Sequence, residues 1–210
     1  MLAEALERYA DRPDAIVLAL PRGGVPVGYE IATRLHLPLD VYIVRKLGVP
    51  GHTELAMGAL ASDGTCVVDE KLIITLGLDK EVVAGVVQRE SEEIRRRELA
   101  YRDARPQADV AGKIVILVDD GLATGATMRA AATALRRRKP AEIVVAVPVA
   151  AYHTCEVLLA DADHVVCPFT PEPFVAVGLY YDNFEQTSDA EVRRLLAQAA
   201  QAQTGRSVSA

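Results

Sequence analysis

The stretch IVILVDDGLATGAT, residues 114–127, decides the fold of this chain. Its first five residues are all apolar and either β-branched or Leu, the composition of a parallel strand covered on both faces. The strand delivers Asp119 and Asp120 to the carboxyl edge of a sheet, where open α/β folds bind their ligands. Five small residues follow: Ala123, Thr124, Gly125, Ala126 and Thr127. Their amides can come close to a phosphate, the threonine hydroxyls can donate to it, and a helix predicted over residues 128–138 aims its positive end there. Two carboxylates beside a lone phosphate would repel it. They make sense if the ligand also offers hydroxyls or carries a cation, and a ribose 5-phosphate has a 2,3-diol at the right reach.

Rival phosphate sites fail on spacing. A Walker loop needs Gly-Lys-Thr, and no lysine lies between Asp119 and Arg129. A dinucleotide loop needs three glycines at fixed offsets, and only Gly121 and Gly125 are present. A receiver domain carries its acidic pair after the first strand, whereas two βα units precede it here. The remaining alternative is a plain acidic loop at a strand end.

Outward from this segment, strands and helices alternate, which predicts a mostly parallel sheet with helices on both faces. Residues 15–20 form a buried strand ending in Pro21-Arg22-Gly23-Gly24, and a helix follows with Val27, Ile31 and Leu35 on one face. Residues 39–44 form a second strand, then come Arg45, Lys46 and a Gly/Pro loop over 48–52. A strand or hairpin is expected within 57–69 and a long charged helix over 79–102. In that helix Glu92–Arg96 and Glu93–Arg97 form i,i+4 pairs in the favourable order, so a solvated face is expected, with a role at a dimer interface or active site as the alternative. Strands over 142–149 and 163–167 flank a helix over 153–160. The chain therefore divides into a core (1–167) with a helical insertion (79–102), a Pro- and aromatic-rich segment (168–187), and a terminal helix from 189 to 202 with a flexible tail (188–210 together).

Composition sets the outer bounds. The chain has 210 residues, half of them hydrophobic, and a net charge of −6. That charge weighs against a broad nucleic-acid surface. No apolar run approaches the roughly 18 residues of a membrane helix, and the acidic start is unlike a signal peptide. Three cysteines far apart, with no CxxC pair, argue against a zinc site or a disulfide framework. A reduced, cytoplasmic setting is expected.

Two further anion sites stand out. Gly23 and Gly24 after a strand expose backbone amides, and Arg22 adds a fixed cation, although an ordinary turn would look similar. Arg45 and Lys46 at a strand end also suit a phosphate, and the Gly/Pro loop after them could close as a lid; a solvated loop is the alternative. All three phenylalanines, Phe169, Phe174 and Phe184, fall within 16 residues with Tyr180 and Tyr181 between them. Such a cluster forms either a small satellite core or a hood that stacks an aromatic ring.

The run 115–127 resembles the type I phosphoribosyltransferase family: four apolar residues, two acids, two more residues, then a small/Thr-Gly-x-Thr loop. The resemblance implies that fold with a C-terminal hood, and a Mg²⁺-dependent transfer from phosphoribosyl pyrophosphate to a nitrogenous base, a purine by preference, in a homodimer. It implies that Asp119 and Asp120 hold the ribose hydroxyls and, mostly through water, the metal, while Ala123, Thr124, Gly125, Ala126 and Thr127 cradle the 5-phosphate. Arg22, Gly23, Gly24, Arg45 and Lys46 take the pyrophosphate, with Lys46 catalytic beside the two acids. The family's pyrophosphate loop often has a cis peptide after its small or basic residue. The segment from Phe174 to Asp182 is similar to the hypoxanthine-type C-terminal segment, which assigns Phe174 and Val175 to the base and Asp182 to a second metal. Adenine-type loops have alanine at the position of Ala123, hypoxanthine-type loops an aspartate, so the resemblance leaves the base open. A non-catalytic relative that senses phosphoribosyl pyrophosphate is the competing class.

Overall fold

Strand β1 (Ala15–Ala19) and strand β6 (Ile114–Val118) are buried along their whole length and run side by side in parallel, Ala15 opposite Ile114 and Ala19 opposite Val118. They are the centre of a five-stranded parallel sheet of order β2-β1-β6-β7-β8, with β2 at Leu39–Val41, β7 at Glu142–Ala146 and β8 at His164–Val166. The computed structural model describes residues 1–102 and 106–207, and the side chains of residues 53, 54 and 204–207 lie outside that description.

The pleat of β6 explains why both faces are covered. Successive side chains alternate: Val115 and Leu117 pack with Met128, Ala131 and Leu135 of helix α5 (Ala126–Arg136), while Ile114, Ile116 and Val118 pack with Ile31 and Leu35 of helix α2 (Gly24–Leu35). The fold class expected from the sequence is thus the one observed. Helix α1 (Leu2–Ala5) lies against α2, and helix α6 (Tyr152–Leu158) crosses from β7 to β8.

The second strand ends earlier than expected. Residues 39–44 are not one strand: β2 stops at Val41, where its pairing with β1 runs out, and Val44 opens a different sheet. There β3 (Val44–Val49), β4 (His52–Ala61) and β5 (Cys66–Val68) form an antiparallel meander. Residues 48–52 are therefore the bulged tip of a hairpin, with Gly51 at φ +81° making the turn, rather than an open loop. The hairpin predicted within 57–69 is present as β4 and β5, and β4 reaches back to the turn.

One helix had no sequence expectation: α3 (Glu70–Thr75), capped by the Asp69 carboxylate, which accepts from the Leu72 amide at 3.0 Å. Helix α4 (Lys80–Arg102) matches the charged segment, but it is no mere solvated rod. Its Val86, Ile94 and Tyr101 join Leu47, Met57 and Leu60 of the hairpin and Val192, Leu195 and Leu196 of helix α7 (Asp189–Ser207) in one apolar cluster. The expected Glu92–Arg96 pair is replaced: Arg96 and Arg97 both turn to Glu93, and Glu92 accepts instead from Gln88. Helix α7 continues to Ser207 where a tail was expected from 203, and residues 208–210 of that tail lie outside the described residues.

Candidate functional site

The chain leaves β1 to one side, for β2, and re-enters the sheet on the other side at β6, so the topological switch point lies between β1 and β6. Two turns meet there. One is Pro21-Arg22-Gly23-Gly24 at the end of β1, and the other begins with Asp119 and Asp120 at the end of β6.

Their contact is close enough to dictate residue type. A Cβ on Gly23 would lie 1.8 Å from Oδ2 of Asp120, and one on Gly24 would lie 2.7 Å from the Val118 carbonyl oxygen and 2.9 Å from Cα of Asp119. Only glycine lets this turn rest on the acids. The loop contains a cis peptide, at Pro21–Arg22, one bond before the place the family resemblance gave it.

Burial and mutual repulsion govern the two acids. Burial, reinforced by the charge of Asp120, pushes the Asp119 carboxyl up to about 8, against which its Oδ1 accepts from the Asp120 amide at 2.9 Å. Burial also raises Asp120. Oxygen-only donors held this way suit a hydroxyl-bearing ligand or a hard cation that keeps most of its own shell. Among the described residues no cluster of three or more His, Cys, Asp or Glu could hold a metal by itself.

The loop beyond the acids is braced from below. Leu122 forms a bridge with Ala150, and Thr154 of α6 donates through Oγ1 to the Ala123 carbonyl at 2.7 Å. Gly125, at φ +69°, begins α5 in the left-handed conformation, and the Thr154 methyl lies 2.6 Å from where its Cβ would be. Ala123, Thr124 and Thr127 stay exposed, so both hydroxyls and the N-terminal turn of α5 face outward.

Arg22 lies 3.5 Å from Asp189 at the start of α7. The same carboxylate accepts from the Tyr101 hydroxyl at 2.8 Å and lies 3.9 Å from Arg96, both on α4. Arg45 and Lys46 are adjacent on β3, so their side chains leave opposite faces. Arg45, paired with Leu60, turns to α4 and donates to Glu90 at 2.7 Å. Lys46, paired with Ala59, shares the face that packs toward α5. The structure thus separates two cations that the sequence placed together.

The aromatic segment splits as well. Phe174 stacks on Tyr180, which meets Phe169 edge-on, while Tyr181 packs against Phe184. Val175 is 68% exposed and Asp182 is exposed. The Tyr181 hydroxyl donates to the Asp120 carbonyl, and Val177 covers Gly121, whose Cβ would fall 2.6 Å from its Cγ1. A cavity of about 470 Å³ opens beside the acids, lined by Arg22, Gly23, Asp120, Tyr181, Phe184 and Thr187 among others. Phe174, Val175 and Asp182 are not in its lining; Tyr181 and Phe184, members of the aromatic cluster offered as a hood, are, together with Asn183 and Thr187, for which the sequence carried no expectation.

A switch-point cleft with a glycine turn on two acids and a threonine loop opening a helix marks an open α/β fold with its candidate site at the carboxyl edge of the sheet. The chain belongs to the phosphoribosyl transferase domain family, whose model matches residues 1–182. It is 41% identical to TT1426 from Thermus thermophilus, whose crystal structure superposes with a TM-score of 0.85 over 94% of this chain and 93% of that one. It is 42% identical over 198 residues to Rv0571c of Mycobacterium tuberculosis, named as a phosphoribosyl transferase, covering 94% of this chain but 44% of that relative. The chain thus spans less than half the length of that relative. A bifunctional protein PyrR of Chloroflexus aurantiacus is 35% identical over 129 residues, 60% of this chain and 65% of that protein. Among the described residues no helix is long and apolar enough to cross a membrane.

Proposed function

We propose that this chain transfers the phosphoribosyl group of phosphoribosyl pyrophosphate to a ring nitrogen of a base, a purine by preference, and releases pyrophosphate. The observation that supports this is the fit of the Arg22-Gly23-Gly24 turn onto Asp119 and Asp120, with Arg22, Gly23 and Asp120 together in the lining of one cavity.

Asp119 and Asp120 accept from the ribose 2- and 3-hydroxyls, while Thr124, Thr127 and the amides opening α5 hold the 5-phosphate. With both ends of the sugar fixed, C1 is presented toward the cavity, and displacement runs through an oxocarbenium-like state. Arg22, the Gly23 amide and Lys46 stabilise charge on the departing pyrophosphate, while the Gly24 amide is already given to the Leu20 carbonyl at 3.1 Å. The Tyr181–Phe184 pair walls the cavity and suits the flat face of a base. Asp119 and Asp120 are also the residues that would hold Mg²⁺, which would neutralise pyrophosphate charge when bound.

The competing reading is a sensor of phosphoribosyl pyrophosphate without turnover. Ala123, exposed at the loop, carries no group to manage a proton on the base; adenine-type loops share that alanine, so it bears on which base is accepted and not on turnover. The test mixes protein, Mg²⁺, phosphoribosyl pyrophosphate and a panel of purines and pyrimidines, and measures pyrophosphate. Base-dependent release supports the transferase. Tight sugar binding with no release for any base supports the sensor. Asp119→Asn with Asp120→Asn should abolish sugar binding, and unchanged affinity overturns both readings.

A further inference from the structure

Helix α7 brings one carboxylate up to the glycine turn. Ser188 caps that helix: its Oγ accepts from the Glu191 amide at 3.1 Å, and its carbonyl accepts from the Val192 amide at 3.0 Å. Asp189 therefore takes the first helical position, and the buried Val192, Leu195 and Leu196 pack the helix with α4 and the hairpin. The Tyr101 hydroxyl of α4, its ring buried in the same cluster, donates to Oδ1 of Asp189 at 2.8 Å. That oxygen also lies 3.5 Å from Nη1 of Arg22. Arg96 comes within 3.9 Å of the other oxygen, but its Nε and Nη2 donate to Glu93 at 2.8 and 2.9 Å. Arg22 lines the cavity beside the acids, and Asp189 does not.

We propose that Asp189 is a positioning residue, which holds the Arg22 guanidinium ready for the pyrophosphate; this rests on the reading of Arg22 as a pyrophosphate cation. An acid in the first turn of a helix ordinarily does no more than complement the helix's positive end. Glu191 already serves that end from the same turn, and it meets Arg194 at 3.6 Å rather than the cavity's arginine. The Tyr101 hydrogen bond, opposed by burial and helped by Arg22 and Arg96, holds the Asp189 carboxyl below its usual range. Burial and the bond to Asp189 push the Tyr101 hydroxyl up to about 12, so at neutral pH it remains the donor to a charged carboxylate. An arginine loses rotamer freedom when it grips an anion, and a carboxylate fixed beside it removes part of that loss in advance. A carboxylate near an anion also repels it. The two effects differ in sign: if repulsion were all, neutralising Asp189 would tighten pyrophosphate binding, whereas loss of a positioning residue weakens it.

The test is a double-mutant cycle on the full chain, with the Kd of phosphoribosyl pyrophosphate in Mg²⁺ read by titration calorimetry. Asp189→Asn keeps an acceptor for Tyr101 and removes the charge, and it should weaken binding about fivefold, the worth of one ordinary hydrogen bond. In an Arg22→Met background the same change should alter Kd by less than about twofold, because its route to the ligand is gone. Tighter or unchanged binding in the single variant overturns the proposal. An equal fivefold loss in both backgrounds also overturns it, since the acid would then act on the fold and not through Arg22. Should Asp189→Asn fail to fold, Tyr101→Phe decides: it leaves every charge in place and frees the carboxylate, with a loss of about twofold to threefold expected and unchanged affinity overturning the proposal. Wild-type protein that does not bind phosphoribosyl pyrophosphate overturns the reading of the site itself, and this inference with it. No turnover is measured, so the result is the same for a transferase and for a sensor.

Discussion

Asp119→Asn should make the protein more stable at pH 8 while removing its ligand. In the folded chain the Asp119 carboxyl is raised from 3.8 to about 8 by burial and by Asp120. An acid whose folded value exceeds its unfolded value binds more protons in the native state between those two values. Stability therefore falls as pH rises through that window and is flat above it. At ~1.4 kcal/mol per pH unit, the contribution of Asp119 declines by up to about 4 kcal/mol from pH 5 to pH 8. Asparagine carries no charge, and its carbonyl can still accept from the Asp120 amide as Oδ1 does at 2.9 Å. Thermal unfolding of both proteins between pH 5 and pH 9 reads the effect. At roughly 2–4 °C per kcal/mol for a chain of this size, the Tm advantage of the variant should widen by about 10 °C from pH 5 to pH 8 and then level off. Phosphoribosyl pyrophosphate with Mg²⁺ should narrow the gap by stabilising only the native protein. A Tm difference that is constant with pH, or a variant less stable at pH 8, would refute the reasoning.

Gly23→Ala should lower sugar binding at least tenfold by titration calorimetry and cost about 1–3 kcal/mol of stability, because its methyl would land 1.8 Å from the Asp120 carboxylate; unchanged affinity would show that the turn can shift freely. Asp40→Ala should cost about 1–3 kcal/mol in urea unfolding, since it takes the 2.8 Å carboxylate from Arg102, which is only 6% exposed, and leaves it the Val41 carbonyl and Glu98 at 3.9 Å. Thr154→Val should cost about 1 kcal/mol by leaving the Ala123 carbonyl without its 2.7 Å donor, with the loss read as faster exchange over 123–127. Arg45→Met should leave phosphoribosyl pyrophosphate affinity within about twofold while Lys46→Met lowers it about tenfold, the worth of one charge-assisted hydrogen bond; equal effects would place both cations at the pyrophosphate.

How much of this was legible in the sequence depends on whether a signal was local. Residues 114–118 announce a doubly covered strand because each of the five is apolar, and the acids, the glycine turn and the threonine loop are contiguous motifs. The run 39–44, apolar but for Asp40, gives no sign that Val41 ends one sheet and Val44 begins another, since both strands need the same residues. With one strand placed over 39–44, Arg45 and Lys46 read as its end leading into a loop, and the two-residue alternation along β3 that sends them to opposite faces is hidden. Asp69 as an N-cap was the one available sign of α3. Tyr181 and Phe184 carried a compositional signal, but which aromatics face the cavity depends on a chain path without regular structure.

The charged helix shows the same limit from the other side. Its i,i+4 charges predict a solvated surface, and Glu93 with Arg96 and Arg97 fits that. Its functional consequence lies in partners far away in sequence. Glu90 holds Arg45 on β3, while Arg96 and Tyr101 reach Asp189, which faces Arg22. Arg102 ties the helix to Asp40 on β2, next to β1 and its glycine turn. One helix thus fixes the hairpin that carries Lys46 and the carboxylate that orients Arg22. These are the two segments that would have to stand a pyrophosphate's width apart. Helix α4, an insertion in the sequence, is thus tied both to the hairpin that carries Lys46 and to the carboxylate that meets Arg22.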